Sequence, residues 1–303
     1  MPPRNRFPLF VFLCTVSILA SWHSLSMTLG LALTNDAYTH ILLILPLSLA
    51  LIYLDSKRQD LKSTNSKALR GDPQPSPRIG ASLMVLALLF ACYARWGMTS
   101  APSDVQLSLS MFALVSWWIA SILFCFGAAT FRSLLFPLCF LFFIVPTPEF
   151  ALNWIVAILQ QQSAVAARMM FRAVGVPVTQ NGIMVSIPGL DLEVARECSS
   201  IRSSLLLVVT TLVLAHLFLR SWWRKVLLVA VALPLSVAKN GLRIFTIAEL
   251  GTRVDPAFLD GKLHHNGGII FLAIAVGSVV VLLWILRRTE FQMPPSCPVP
   301  VPE

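Results

Sequence analysis

Long apolar stretches alternate with short polar ones along most of the chain. Eight of them approach or reach the roughly 20 residues that a helix needs to cross about 30 Å of hydrocarbon. They are residues 7–25, 38–54, 79–98, 108–130, 133–147, 203–219, 226–247 and 267–286. The fifth is short and is interrupted by Pro146 and Pro148. This pattern predicts an all-α polytopic membrane protein with about eight transmembrane helices.

Residues 150–198 are the least membrane-like stretch in the middle of the chain. Within them, 151–173 carries Gln and Arg residues among apolar neighbours, which predicts an amphipathic helix that is either interfacial or shallowly re-entrant. Further on, apolar residues alternate with polar ones on both sides of Pro188-Gly189. Period-two alternation around a Pro-Gly turn predicts a small β-hairpin.

The composition agrees with a membrane protein. Of the 303 residues, 56% are hydrophobic and only 12% are charged, whereas soluble domains carry about 25% charged residues. The net charge of +9 could indicate a nucleic-acid partner, so the distribution of the charges has to decide.

The basic residues are concentrated on one side of the predicted membrane. One set of alternate loops holds 14 of the 23 Lys and Arg residues but only five of the 14 acidic ones. These basic residues are Arg4, Arg6, Lys57, Arg58, Lys62, Lys67, Arg70, Arg78, Arg132, Arg220, Arg224, Lys225, Arg287 and Arg288. Because Lys and Arg are enriched in cytoplasmic loops, both termini are predicted to be cytoplasmic. The charge is then an orientation signal, and no nucleic-acid partner is expected.

This orientation gives the domain organisation. We expect residues 1–290 to form a single transmembrane domain. Within it, 55–78 is predicted as a cytoplasmic linker and 150–198 as a segment at the periplasmic face, which places the hairpin on the outer surface. The Pro-rich residues 291–303 are expected to be a disordered cytoplasmic tail.

The cysteines indicate neither a metal site nor a disulfide framework. None of the six occurs at CxxC spacing, and four lie within apolar runs, where cysteine is usually a small hydrophobic residue. No metal and no cofactor are therefore expected. Cys198 and Cys297 alone have polar sequence neighbours, and Cys297 belongs to the tail.

The predicted topology brings three reactive side chains to the outer face. Cys198 directly precedes the sixth apolar stretch, and His264 directly precedes the eighth. Arg243 follows Lys225 by a helical distance of about 27 Å, close to the outer edge of the hydrocarbon. A thiol, a cation and a base would then share one side of the membrane.

The seventh stretch carries three polar residues on one helical stripe, namely Lys239, Asn240 and Arg243. Charged residues inside a membrane span usually face a polar cavity or a partner. The simpler alternative is that Lys239 and Arg243 extend their side chains to the lipid headgroups. That alternative gives Asn240 no role.

Several fragments of the chain resemble the exosortase/archaeosortase family. They are residues 35–40 (NDAYTH), 145–149 (VPTPE), 192–203 (LEVARECSSIRS), 233–243 (LPLSVAKNGLR) and His264 with Gly268 and Phe271. The resemblance covers roughly residues 35–285, in order and at similar spacing. One departure is Ser200, since the family motif usually has Gly two residues after the cysteine. His265 is an open alternative to His264.

The resemblance implies a membrane cysteine transpeptidase at the outer face of the cytoplasmic (inner) membrane. Its partners would be exported proteins with a C-terminal PEP-CTERM-like sorting signal, which consists of a short motif, a membrane helix and a basic tail. It would also need an acceptor nucleophile, whose identity is unknown, and membrane lipids. The implied catalytic residues are Cys198, Arg243 and His264.

Two further residues are candidates for supporting roles at that site. Arg202, one turn beyond Cys198, could stabilise a thiolate, because nearby cations lower the pKa of a thiol. Asn240 could orient the site. A different function class remains: a transporter or glycolipid-handling membrane protein that uses Lys239, Asn240 and Arg243 as a polar path.

Overall fold

The computed structural model describes residues 6–64, 76–98, 100–194, 201–255 and 268–291. These residues form mostly helices, with one small sheet. The helices are α1 (Arg6–Ala20), α2 (Trp22–Thr34), α3 (Ile41–Thr64), α4 (Pro77–Cys92), α5 (Ser103–Ser133), α6 (Leu135–Phe140), α7 (Glu149–Ala173), α8 (Ile201–Phe218), α9 (Trp222–Arg253) and α10 (Gly268–Phe291). The strands are β1 (Thr179–Asn181), β2 (Met184–Ile187) and β3 (Leu190–Glu193). Short 3₁₀ turns occur at Asp36–Tyr38 and Leu141–Ile144, and a π-helical turn at Tyr93–Gly97.

The helices confirm the predicted class of an all-α polytopic membrane protein. Among the described residues, six helices are long and apolar enough to cross a membrane, and up to eight spans result if two bent helix pairs each count as one. The first pair is Arg6–Ala20 with Trp22–Thr34, and the second is Leu135–Ile144 with Glu149–Ala173. The first pair contains the first predicted span, and the second joins the fifth predicted span to the helix predicted over 151–173. The predicted number of eight is the upper value.

Several predicted helix bounds differ from the observed ones. The first span was predicted as one helix over 7–25, but the structure bends by 72° between Ala20 and Trp22. Helix α3 continues to Thr64, through the first part of the predicted linker 55–78, while 65–75 lies outside the described residues. Helix α9 extends on both sides of the predicted 226–247. Polar residues ended the predicted spans, yet a helix continues past the hydrocarbon where its backbone bonds are satisfied.

The described residues divide into two compact units, Met1–Leu152 and Asn153–Glu303. In the first unit, α5 packs against both α4 and α1. Its buried core includes Ile44, Met111, Val115 and Leu138. The prediction that residues 1–290 act as a single domain stays a prediction.

The second unit has two apolar clusters that share α9. In the first cluster, α9 packs against α7 and the sheet, through Ala164, Ala167, Phe171, Val185, Ile187, Val194, Ile244 and Ala248. In the second, it packs against α8 and α10, through Leu207, Ala215, Leu219, Leu228, Ala275, Val279, Leu283 and Leu286. Helix α9 is therefore the element common to both parts of this unit.

The sheet contains the predicted hairpin and one further strand. β2 pairs antiparallel with β3, and Ile187 lies opposite Leu190, so that Pro188-Gly189 is a two-residue turn. Gly189 has φ 83°, a conformation that glycine adopts without steric cost. Val185 is buried whereas Met184 is exposed, as period two requires. The third strand, β1, pairs with β2 and was not predicted.

Helices α7 and α9 approach each other closely at Gly241. A Cβ atom placed on Gly241 would lie only 2.6 Å from the Cβ atom of Ala166 and 3.0 Å from the backbone N of Ala167. No side chain fits there unless one helix moves. The absence of a side chain at Gly241 therefore determines how near α9 lies to α7.

Replacing Gly241 with Leu is expected to lower the free energy of unfolding by about 1–3 kcal/mol, because overpacking forces a backbone shift. Thermal unfolding of the detergent-solubilised protein measures this loss. Gly277 on α10 is the matched control, since nothing lies within 4 Å of a Cβ atom placed there. Equal melting temperatures for Gly241→Leu and Gly277→Leu would contradict the close approach.

Candidate active site

Helices α8, α9 and α10 run antiparallel to their sequence neighbours. Lys239 Nζ donates a hydrogen bond to Ser203 Oγ, which joins the second half of α9 to the first turn of α8. The Glu290 carboxylate accepts from the backbone N–H of Ser221 at 2.6 Å, which joins the end of α10 to the start of α9. The start of α8, the second half of α9 and the start of α10 therefore lie at the same end of the three helices.

The polar stripe of α9 is buried in the protein. Lys239 is 5% exposed, Asn240 0% and Arg243 7%. Side chains that extended toward lipid headgroups would be exposed, so snorkelling of Lys239 and Arg243 does not fit this structure. Desolvating a charge is costly unless polar groups surround it, and such a stripe is typical of a polar site inside the protein.

The first turn of α8 supplies polar partners for this stripe. Besides the Lys239–Ser203 bond, Ser236 Oγ donates to Ser204 Oγ at 2.7 Å. Both serines of α8 and Ser236 are buried. These serines are not among the residues that the sequence predicts for the site. Their signal is three hydroxyls in helices that are otherwise strongly apolar, two in the first turn of α8 and one in the middle of α9.

Only part of the predicted site lies within the described residues. Arg243 and Asn240 lie in α9, and Arg202 lies in the first turn of α8 with its side chain exposed. Cys198, His264 and His265 fall outside the described residues. The structure thus brings together Lys239, Asn240, Arg243 and the two serines that follow the cysteine motif.

The chain leading to Cys198 is held by a buried glutamine. The Gln160 side chain, in α7, donates through Nε2 to the carbonyl oxygen of Val194 at 2.7 Å. The N–H of Val194 donates to the carbonyl oxygen of Ile183 at 3.1 Å, and both Gln160 and Val194 are buried. From the sequence, Gln160 was only one of three consecutive glutamines. Gln160 is four and seven residues before Ala164 and Ala167, so the three share one face of α7. That spacing was the sequence feature that could have indicated its burial.

In the first unit, the two upstream fragments of the resemblance meet. Tyr38 of the 35–40 fragment donates its hydroxyl hydrogen to the carbonyl oxygen of Thr147, in the 145–149 fragment, at 2.7 Å. Ser108 Oγ donates to the carbonyl oxygen of Pro146 at 2.7 Å. The Asp104 carboxylate accepts from the N–H of Glu149 at 2.7 Å. Asp104 and Ser108 are not predicted from the sequence. Their hydrogen bonds to Glu149 and Pro146 fix the segment that leads into α7.

The described residues contain no candidate metal site. In that part of the chain, no group of three or more His, Cys, Asp or Glu side chains is arranged to hold a metal ion. The expectation that the protein needs no metal stays a prediction.

A family model described as transmembrane exosortase (Exosortase_EpsH) matches residues 22–284, which is most of the chain. The chain belongs to the exosortase family. No curated protein and no solved structure matches it. The match confirms the resemblance drawn from the sequence fragments, all of which lie inside the matched range.

The helices show that this exosortase is a polytopic membrane protein, which agrees with its membership of a transmembrane family. The buried stripe of α9, the serines of α8 and the hydrogen-bonded upstream fragments all belong to the matched region. An exosortase of this kind is expected to act on exported proteins that carry sorting signals.

Proposed function

We propose that this exosortase is a membrane cysteine transpeptidase that cleaves C-terminal sorting signals of exported proteins. The observation that carries the proposal is the antiparallel arrangement of α8, α9 and α10. It directs the start of α8, which follows Cys198 in the sequence, to the same end as the buried Arg243. The start of α10, which follows His264, lies at that end too.

Each of the three residues has a chemical role in the proposal. Cys198 is the nucleophile, in its thiolate form, since the thiolate and not the thiol attacks. Arg243 donates hydrogen bonds to the oxyanion of the tetrahedral intermediate, and a donor in a site shielded from water is effective in that role. His264 transfers the protons, with His265 as the alternative.

The reaction then has two steps. The Cys198 thiolate attacks the scissile carbonyl carbon. The tetrahedral intermediate expels the amine, which takes a proton from the His264 imidazolium, and a thioester remains on Cys198. In the second step, neutral His264 removes a proton from the acceptor nucleophile, which attacks the thioester. The transferred protein leaves on the acceptor, and the Cys198 thiolate is regenerated.

We place this site at the periplasmic face of the inner membrane, with both termini cytoplasmic. The support is the concentration of Lys and Arg in one set of loops. A substrate anchored by its own membrane helix is already confined to the bilayer, so proximity replaces a large soluble binding domain. The buried stripe Lys239, Asn240 and Arg243 would also suit a transport path, but family membership supports the enzyme.

A processing assay tests the proposal. The reporter is an exported protein of the same cell that ends in a short motif, a membrane helix and a basic tail. With this exosortase present, we expect a shorter reporter and a released C-terminal fragment, both identified by mass spectrometry. A reporter that keeps its full length and its C-terminal helix would contradict the proposal.

A further inference from the structure

Three consecutive glutamines in α7 differ sharply in their surroundings. Gln160 is buried, whereas Gln161 and Gln162 are exposed. The buried residues of α7 recur on one face, as Val156, Gln160, Ser163, Ala164, Ala167 and Phe171. Gln160 is therefore a polar side chain on the face that packs against the apolar core of the second unit.

A glutamine in such a position needs a specific partner. A buried amide without a hydrogen bond costs free energy, and Gln160 meets that requirement by donating to the Val194 carbonyl oxygen at 2.7 Å. Val194 is itself 1% exposed, so water does not compete for its carbonyl group. The bond links α7 to the end of the sheet across 34 positions of sequence.

Val194 is the last described residue before Cys198, and it is restrained from three sides. Its N–H donates to the Ile183 carbonyl oxygen, its C=O accepts from Gln160, and its side chain belongs to the apolar cluster of α7, α9 and the sheet. It precedes Cys198 by four positions. After Cys198 in the sequence, Ser203 accepts a hydrogen bond from Lys239. Hydrogen bonds therefore hold the described residues on both sides of Cys198 in the sequence.

We infer that Gln160 is a positioning residue for Cys198: it fixes the peptide from which the nucleophile-bearing segment departs. This inference rests on the proposed function. The physical reason is that small displacements of a nucleophile from its attack geometry lower the rate strongly. The inference assigns Gln160 to the Val194 peptide, to which it donates, and its effect on Cys198 is then transmitted along the chain that follows Val194.

The experiment measures the processing rate of the reporter by pulse–chase in cells that carry Gln160→Ala, Gln161→Ala or Gln162→Ala. Gln160→Ala is expected to slow processing about tenfold, because a buried carbonyl group is left without its donor. The two exposed neighbours should process at the wild-type rate. The amount of each variant in the membrane is measured in parallel, and rates are compared per molecule of enzyme. Equal rates for all three variants would overturn the inference.

A second variant tests the role even if Gln160→Ala lowers the amount of folded protein. Gln160→Glu keeps the shape of the side chain, but a carboxylate cannot donate, whereas a protonated carboxyl group can. Lowering the pH protonates the carboxyl group and so restores a donor at this position. With purified enzyme and reporter, the rate of Gln160→Glu relative to wild type should rise as the pH is lowered. A ratio that does not change with pH would overturn the positioning role.

Failure of this inference is distinguishable from failure of the proposed function. If Cys198→Ala abolishes processing while Gln160→Ala matches Gln161→Ala, Cys198 is the nucleophile and Gln160 does not position it. If Cys198→Ala processes normally, the proposed function fails whatever the glutamine variants do. A slow Gln160→Ala together with an inactive Cys198→Ala supports both.

Discussion

Replacing Cys198 with Ala is expected to abolish processing of the reporter, with a loss of at least about a thousandfold in rate, as for other removed nucleophiles. The reason is that the proposed acyl-enzyme is a thioester on the sulfur of Cys198, which alanine lacks. Cys198→Ser should be nearly as inactive, because a hydroxyl group ionises far less readily than a thiol. The measurement is the size of the reporter, together with the C-terminal sequence of any product.

Cys139 provides the matched control. It is a free cysteine in α6 and is exposed, so Cys139→Ala removes a thiol without affecting the proposed chemistry. This variant should process the reporter like the wild type. Normal processing by Cys198→Ala would contradict the cysteine mechanism and would favour the transport or glycolipid-handling alternative.

Replacing Arg243 with Ala should lower the processing rate by about 10²–10³-fold, the effect typical of a lost oxyanion donor. Arg243→Lys should recover little of this loss, since lysine lacks the planar fork of donors that a guanidinium group presents. Arg243 is only 7% exposed, so its loss acts inside the protein. Processing rates with the reporter in excess, divided by the amount of enzyme in the membrane, measure the effect.

Arg253 is the control for Arg243 because both lie on α9. The Arg253 side chain is 65% exposed and forms an ion pair with Glu249 at 2.8 Å, and exposed pairs of this kind contribute about 0–1 kcal/mol. Arg253→Ala should therefore retain wild-type processing. Retained processing in Arg243→Ala, with Arg253→Ala equally active, would remove Arg243 from the mechanism and leave the role of Cys198 to be judged separately.

Helix ends were the least predictable part of the fold. The apolar stretches identified the spans, because hydrocarbon requires about 20 apolar residues in a row. They did not show where the helices end, since a helix continues into water when its own backbone bonds are kept. Helix α9 illustrates this: the predicted 226–247 becomes Trp222–Arg253, and Arg243 lies about 15 Å before its end at 1.5 Å per residue.

Side-chain burial also depended on the structure. Lys239 and Arg243 could be assigned to one stripe from their spacing alone, yet whether that stripe met lipid headgroups or protein was open. The contact with Ser203 of α8 decided it. Similarly, the three glutamines of α7 are identical in type, and only the crossing of α7 with the sheet buries Gln160 and exposes its neighbours.

The sequence by itself determined the membrane class, the span count of up to eight, the hairpin around Pro188-Gly189 and the family. These properties depend on composition, on the alternation of apolar and polar residues and on short motifs, and each of these is a property of residues close together in the sequence. The tertiary structure alone decided that Gln160 anchors Val194, that Gly241 brings α9 against α7, and that Tyr38 meets Thr147. The physical reason is that such contacts join residues distant in sequence, and packing selects them among many side chains with equal local propensity.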